Sequence, residues 1–131
     1  MKVLLIVTKG TGGSGNIVGE FRTNKIFKIH PLNLFDTNKV YAKNILKQAC
    51  LTKYEFLEYA NDKECSAWNI INPIKYEREF ISPKRTPQSW QYLDENTILM
   101  SIYKKWADKI FSGEKTLEIR KTHPKFKKEE N

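Results

Sequence analysis

Cysteine is scarce in this 131-residue chain. Cys50 and Cys65 are the only two, too few for a disulfide framework, and they form no Cys-x-x-Cys pair of the kind that holds zinc or runs redox chemistry. Two reduced, buried thiols are expected. Long apolar runs are also missing: Val3 to Val7 is the longest aliphatic stretch, far short of the roughly 20 residues that cross a bilayer. No membrane partner is expected. The amino terminus has neither the extended apolar region nor the small-residue cleavage site of a secretory signal, so a cytoplasmic protein is expected. Histidine is limited to His30 and His123, both beside prolines and neither with a carboxylate or cysteine at ligand spacing. Neither a metal site nor a cofactor is expected.

Positive charge, by contrast, is abundant. Lys and Arg number 23 against 15 Asp and Glu, a formal charge of +8. Residues 1–30 carry five basic and one acidic side chain, residues 31–97 nine of each, and residues 98–131 nine basic and five acidic. The excess therefore sits in the two terminal segments, +4 in each. A fold that joined the ends would concentrate a positive surface able to attract phosphates through counterion release. A solvated basic face is the commoner origin of surface lysines. With 40% hydrophobic residues, the length suits a single domain over residues 1–131.

Hydrophobic periodicity predicts a mixed architecture. Lys2 to Thr8 reads as a buried strand, and the segment from Gly10 to Gly15 as a flexible loop. Asn16 to Ile29 then reads as one bent strand or two short ones broken near Thr23-Asn24, so strand, loop and strand make a hairpin. From Asp36 to about Ala60 the pattern is helical: Ala42, Ile45, Leu46 and Ala49 share one stripe, with Asp36 or Thr37 as its cap. Thr52-Lys53-Tyr54-Glu55 matches a capping box that opens a second helix. These two segments are close to neutral and are expected to cover the sheet. Ser66 to Ile71 reads as a strand, and Pro73, Pro83 and Pro87 then suit edge segments and turns. Ile98 to Ile102 reads as a strand, followed by a helix through Trp106 and Ile110 that Gly113 ends. Thr116 to Arg120 alternates, with Leu117 and Ile119 on one face and Glu118 and Arg120 on the other. The charged tail from Lys125 to Asn131 is expected to fray.

Several motifs have plain structural readings. Gly10 to Gly15 matches G-x-G-x-x-G after a strand, but Ile17-Val18-Gly19-Glu20-Phe21 is a poor helix start, and a pyrophosphate needs a helix there. The flexible hairpin is the preferred reading. Trp68 and Trp106 are read as packing residues. Trp90, within Arg85-Thr86-Pro87-Gln88-Ser89-Trp90, has polar and basic neighbours and could stack on a base, with burial the slightly stronger reading. The sharpest constellation is Gly113-Glu114-Lys115-Thr116-Leu117-Glu118-Ile119-Arg120. Two cations and a carboxylate there can bind a phosphate and accept hydrogen bonds from a base or sugar. The competing reading is a surface salt bridge worth about 0–1 kcal/mol.

The stretch from Leu99-Met100-Ser101-Ile102 through Trp106, Ile110 and Arg120 resembles the opening of ASCH domains, the activating-signal-cointegrator homology family. Its G-x-K-x-x-E-x-R signature is matched at Gly113, Lys115, Glu118 and Arg120. Ile17 to Phe21 and Arg85 to Trp90 resemble two further family segments, but the order is changed: the family's opening unit stands here at 98–125. The resemblance implies an α+β fold, a small PUA-like mixed β-barrel with flanking helices, in circularly permuted order, with Tyr92 to Thr97 bridging the family's former ends. It places the final strand beside the strand that begins at Lys2, flooring a pocket. A monomer is expected, with a strand-swapped dimer as the alternative.

The same resemblance implies an RNA- or modified-nucleotide-binding module. Lys115 and Arg120 would hold phosphate, Glu118 would accept hydrogen bonds and Trp90 would stack. Ser101 lies alongside, and Lys9, Lys104 and Lys105 extend the field. One branch of the family resembles acetylcytidine amidohydrolases, in which the signature lysine works with a threonine. Here Lys115 matches, Glu118 takes the threonine's place and Thr116 is two positions early. The alternative function is therefore a hydrolase of a nucleoside amide or RNA, with Lys115 and Glu118 as acid-base partners.

Overall fold

The computed structural model describes residues 1–37 and 39–125. β1 (Lys2–Val7) and β2 (Ile17–Arg22) form the expected antiparallel hairpin. The Gly-rich connection makes only a 3-10 turn over Lys9–Thr11 before entering β2. The helix that a dinucleotide pyrophosphate would rest on is therefore not formed there.

β2 stops at Arg22 because the next residues turn a corner pinned by one side chain. Asn69 Oδ1 accepts from Thr23 Oγ1 at 2.8 Å and from the backbone N–H groups of Asn24 and Lys25 at 2.9 Å each. Its Nδ2 donates to Asn24 Oδ1 at 2.6 Å. Beyond the corner, β3 (Ile26–Ile29) enters a different sheet. The strands consequently form two sheets, and the expected closed barrel is not what they build.

The larger sheet has the order β5-β2-β1-β7-β6, with β5 (Ile71–Phe80), β6 (Trp90–Asp94) and β7 (Thr97–Ile102). β7 runs parallel to β1 and the other pairs are antiparallel. Pro73 is tolerated because β5 lies at the sheet edge, where a missing amide donor costs little. The smaller sheet pairs β4 (Cys65–Asn69) with β3 on one side and β8 (Leu117–Arg120) on the other, all antiparallel. The final strand is thus not a sheet neighbour of β1, correcting the expectation that both close one barrel.

Helices α1 (Pro31–Thr37), α2 (Lys39–Ala49) and α3 (Lys53–Ala60) bury Leu34, Ala42, Ile45, Ala49, Phe56 and Ala60 against the smaller sheet. The predicted stripe is recovered, but a separate helix precedes it. Pro31 suits its first position, where no amide donor is needed. The side chains of Asp36 and Thr37, the expected caps, lie outside the description. The capping box is formed: Thr52 N donates to Glu55 Oε1 at 3.0 Å, and Glu55 N to Thr52 Oγ1 at 3.1 Å. α4 (Lys104–Phe111) buries Ala107 and Ile110 against the larger sheet, and Gly113 follows with φ +86. Gly19 on β2 has no room for a Cβ, which would strike the Phe111 ring and the Ile74 carbonyl. Trp68, fully buried on β4, joins the core under the larger sheet and so ties the sheets together. Both cysteines are free, Cys65 buried and Cys50 only half-buried. Of the tail expected to fray, the part beyond Lys125 lies outside the described residues. No described helix is long and apolar enough to cross a membrane.

Candidate functional site

β8 is buried on both faces, but by different chemistry. Leu117 and Ile119 pack into the helix-covered core, while Glu118 on the opposite face is only 6% exposed. The approach to the strand is fastened by backbone bonds: Lys115 N donates to Lys109 O at 3.0 Å and Thr116 N to Gln48 O at 2.9 Å. This holds Lys115 at the carboxyl end of α2, where the last carbonyls lack helical partners. Its Nζ donates to the terminal carbonyl, Ala49 O, at 2.5 Å. The negative end of the helix dipole favours a cation at that point.

Lys115 is itself 2% exposed, so its charge requires compensation. Glu118 supplies it, with Oε1 3.1 Å from Lys115 Nζ. The other carboxylate oxygen accepts from Arg120 Nε at 2.8 Å and lies 2.7 Å from Arg120 Nη2. Arg120 Nη2 also donates to Ser101 O on β7 at 2.8 Å, and Nη1 makes longer bonds to Ser89 Oγ at 3.3 Å and Ser89 O at 3.4 Å. The guanidinium is therefore the strut by which the smaller sheet meets the larger. Burial alone would raise the Glu118 pKa, but Arg120 and Lys115 together hold it below the usual carboxylate range. The triad keeps one net positive charge.

Above it opens a cleft of about 1190 Å³ whose lining includes Lys115, Glu118, Arg120, Ser101 and Lys105. These five of the sequence-predicted site residues are brought together. Lys9, Lys104 and Trp90 do not line it. Lys9 sits in the turn after β1 and packs its stem near Gly15. Lys104 pairs with Asp108 at 2.8 Å on the surface of α4. Trp90 makes edge contacts with Trp68 at 5.9 Å and Tyr92 at 5.6 Å, and its Nε1 donates to Thr122 Oγ1 at 3.0 Å. Trp90 is thus partly buried against the core under the larger sheet. Thr116 is exposed and is not part of the lining.

The walls contain residues that sequence reading passed over. α3, read there as sheet cover, contributes Glu55, Glu58 and Tyr59. Burial pushes the Tyr59 phenol above its ordinary value, and Lys121 Nζ stands 5.2 Å from its ring. On the facing side lie Tyr103 and Trp106, with Lys105 Nζ 4.6 Å and Lys115 Nζ 5.2 Å from the Trp106 ring. The lining side chains thus include four cations, Lys105, Lys115, Arg120 and Lys121, against three carboxylates, Glu55, Glu58 and Glu118. Such a site offers anchored donors at its floor, aromatic rings at its sides and exposed cations at its rim. Among the described residues no three His, Cys, Asp or Glu side chains gather as a metal site would need.

Comparison with known proteins adds one finding. The family model of the ASCH domain matches residues 100–131, a stretch that begins in β7, takes in α4 and β8 and contains the whole Gly113 to Arg120 signature. No curated protein and no solved structure matches the chain.

Proposed function

Taking the ASCH match of the carboxy-terminal segment as premise, we propose that this chain is an RNA- or nucleotide-binding module whose ligand occupies the cleft above Lys115, Glu118 and Arg120. An ASCH domain suggests an RNA-binding or related module in general. The observation that carries the finer reading is the buried triad at the cleft floor, where Glu118 orients two cations without cancelling them.

The roles follow from the partners each group already has. Arg120 Nη1 has only long bonds to Ser89, so a phosphate oxygen can replace them without stripping the guanidinium from Glu118 or Ser101. Lys105 and Lys121 add field at the rim, where each neutralised phosphate releases counterions. Tyr59 and Trp106 offer faces for base stacking. Glu118 acts as a positioning residue more than as a direct ligand, because both its oxygens are engaged.

The hydrolase alternative draws less support. A general acid needs a pKa near the operating pH, whereas Glu118 is held ionised between two cations. The permuted, PUA-like description belongs with the binding reading. In it, Tyr92 to Thr97 bridges the family's former ends, and β1 starts beside that segment, with Lys2 N donating to Asn96 O at 3.0 Å.

Fluorescence anisotropy of a labelled oligoribonucleotide, and of nucleoside monophosphates in competition, tests the proposal at two salt concentrations. Binding should weaken with salt, and Lys105→Ala combined with Lys121→Ala should lower the salt slope by about two. Absent or salt-insensitive binding would overturn it.

A further inference from the structure

Three carboxylates line the cleft, and two of them already have partners. Both oxygens of Glu118 are engaged by Lys115 and Arg120, and Glu55 Oε1 accepts from Thr52 N at 3.0 Å in the capping box. Glu58 is the third. It is exposed, and among the described residues it has no ion pair or side-chain hydrogen bond, although four cations line the same cleft. An ionised carboxylate accepts hydrogen bonds and donates none. Beside a phosphate ligand it repels the phosphate and attracts whatever donors the rest of that ligand presents.

Helix geometry sets Glu58 apart from the phosphate site. At about 3.6 residues per turn, α3 turns Phe56 and Ala60 into the core, brings Tyr59 round next, then Glu55, and Glu58 last. Tyr59 therefore lies nearest the floor, where burial and then the charges of Arg120 and Glu118 act on its phenol, and Glu58 lies at the rim. A nucleotide with its phosphate on Arg120 Nη1 runs outward past Tyr59, and its base reaches Glu58.

The two oxygens of a carboxylate are best satisfied by two donors side by side, as an Arg fork supplies them. Among the bases of RNA only guanine sets two donors together on one edge, N1–H and the N2 amino group. Cytosine and adenine each present one amino group beside an acceptor nitrogen. Uracil places its single N–H between two carbonyl oxygens, which a carboxylate repels. We propose, on the nucleotide-binding reading of the cleft, that Glu58 is its specificity-determining residue and selects a guanine nucleotide, accepting from N1–H and from the N2 amino group.

Competition of guanosine, inosine, uridine and 2′-deoxyguanosine monophosphates against a labelled oligoribonucleotide, in wild type and in Glu58→Gln, tests this by fluorescence anisotropy. Wild type should bind guanosine monophosphate about tenfold more tightly than inosine or uridine monophosphate, which lack the N2 amino group. It should bind the deoxy form as tightly as the ribose form. Glu58→Gln, isosteric and exposed, should reduce the preference for guanine to about twofold or less, with circular dichroism confirming the fold. Equal affinity for guanosine and uridine monophosphates in wild type, or a preference that survives in Glu58→Gln, would overturn the assignment while leaving the nucleotide site itself standing. A preference for ribose over deoxyribose that disappears in Glu58→Gln would move the carboxylate to the paired hydroxyls of the sugar and overturn it as well. Failure of every monophosphate to compete would overturn both the assignment and the nucleotide site.

Discussion

The two ends of the chain carry equal excess positive charge and hold it in different surroundings. Every cation that lines the cleft, Lys105, Lys115, Arg120 and Lys121, comes from the carboxy-terminal segment, and of the first thirty residues only Thr8 reaches it. Three of the five amino-terminal cations are engaged away from the cleft. Lys2 lies 3.9 Å from Glu20, Lys28 3.6 Å from Glu64, and Lys25 5.9 Å from the Phe27 ring centre. A net charge attracts a polyanion from a distance, but only cations fixed against backbone carbonyls and a buried carboxylate can orient one. The difference arises at β8, where the chain passes between α2 and the larger sheet.

Removing the carboxylate between the cations should break this contrast most severely. Glu118→Gln leaves two buried cations without their counter-charge and should cost about 3–5 kcal/mol in urea denaturation. A loss no greater than that of a surface pair would show the two ends to be alike. The pH dependence has a definite sign. The Glu118 carboxyl lies below its ordinary value of 4.5 in the folded chain. Its stabilisation is therefore complete above that value and lost as pH falls through the lower folded one. Wild type should lose stability on acidification more steeply than Glu118→Gln.

The aliphatic face of the same strand provides the next test. Leu117→Ala opens a cavity among α2, α3 and β8 and should cost about 2–4 kcal/mol, while the salt slope of RNA binding stays unchanged. A changed slope would mean that the strand's two faces are not independent. Smaller still, Lys121→Ala should weaken oligoribonucleotide binding by about threefold to tenfold with no change in melting temperature. At the other end of the chain, Lys28→Ala should change stability by less than about 1 kcal/mol. It should leave the affinity for a nucleoside monophosphate as it was.

Local chemistry was legible wherever one segment sufficed to specify it. The Thr52 to Glu55 capping box, the Ala42, Ile45 and Ala49 stripe and the alternation of Leu117 and Ile119 each follow from short-range rules, and each is formed. The signature's cations and carboxylate could be named for the same reason. Their burial could not, because Lys115 finds Ala49 O and Arg120 finds Ser101 O across long stretches of chain. Tyr59 carried no signal at all, since it looked like one more residue of a covering helix. The break into two sheets depends on Asn69 reaching back to Thr23, Asn24 and Lys25, a contact that no periodicity reveals. For Trp90 the polar neighbours in sequence left burial only slightly ahead of stacking, because the rings it meets in space, Trp68 and Tyr92, are distant or unmarked in the sequence pattern.

The most direct measurement is a side-chain chemical-shift titration of the isotopically labelled protein with a nucleoside monophosphate. Perturbation of Arg120 Nε and of the Trp106 and Tyr59 ring signals, with Lys2, Lys25 and Lys28 unmoved, is the predicted outcome. Shifts confined to the amino-terminal lysines, or none at Arg120, would contradict a ligand site at the cleft.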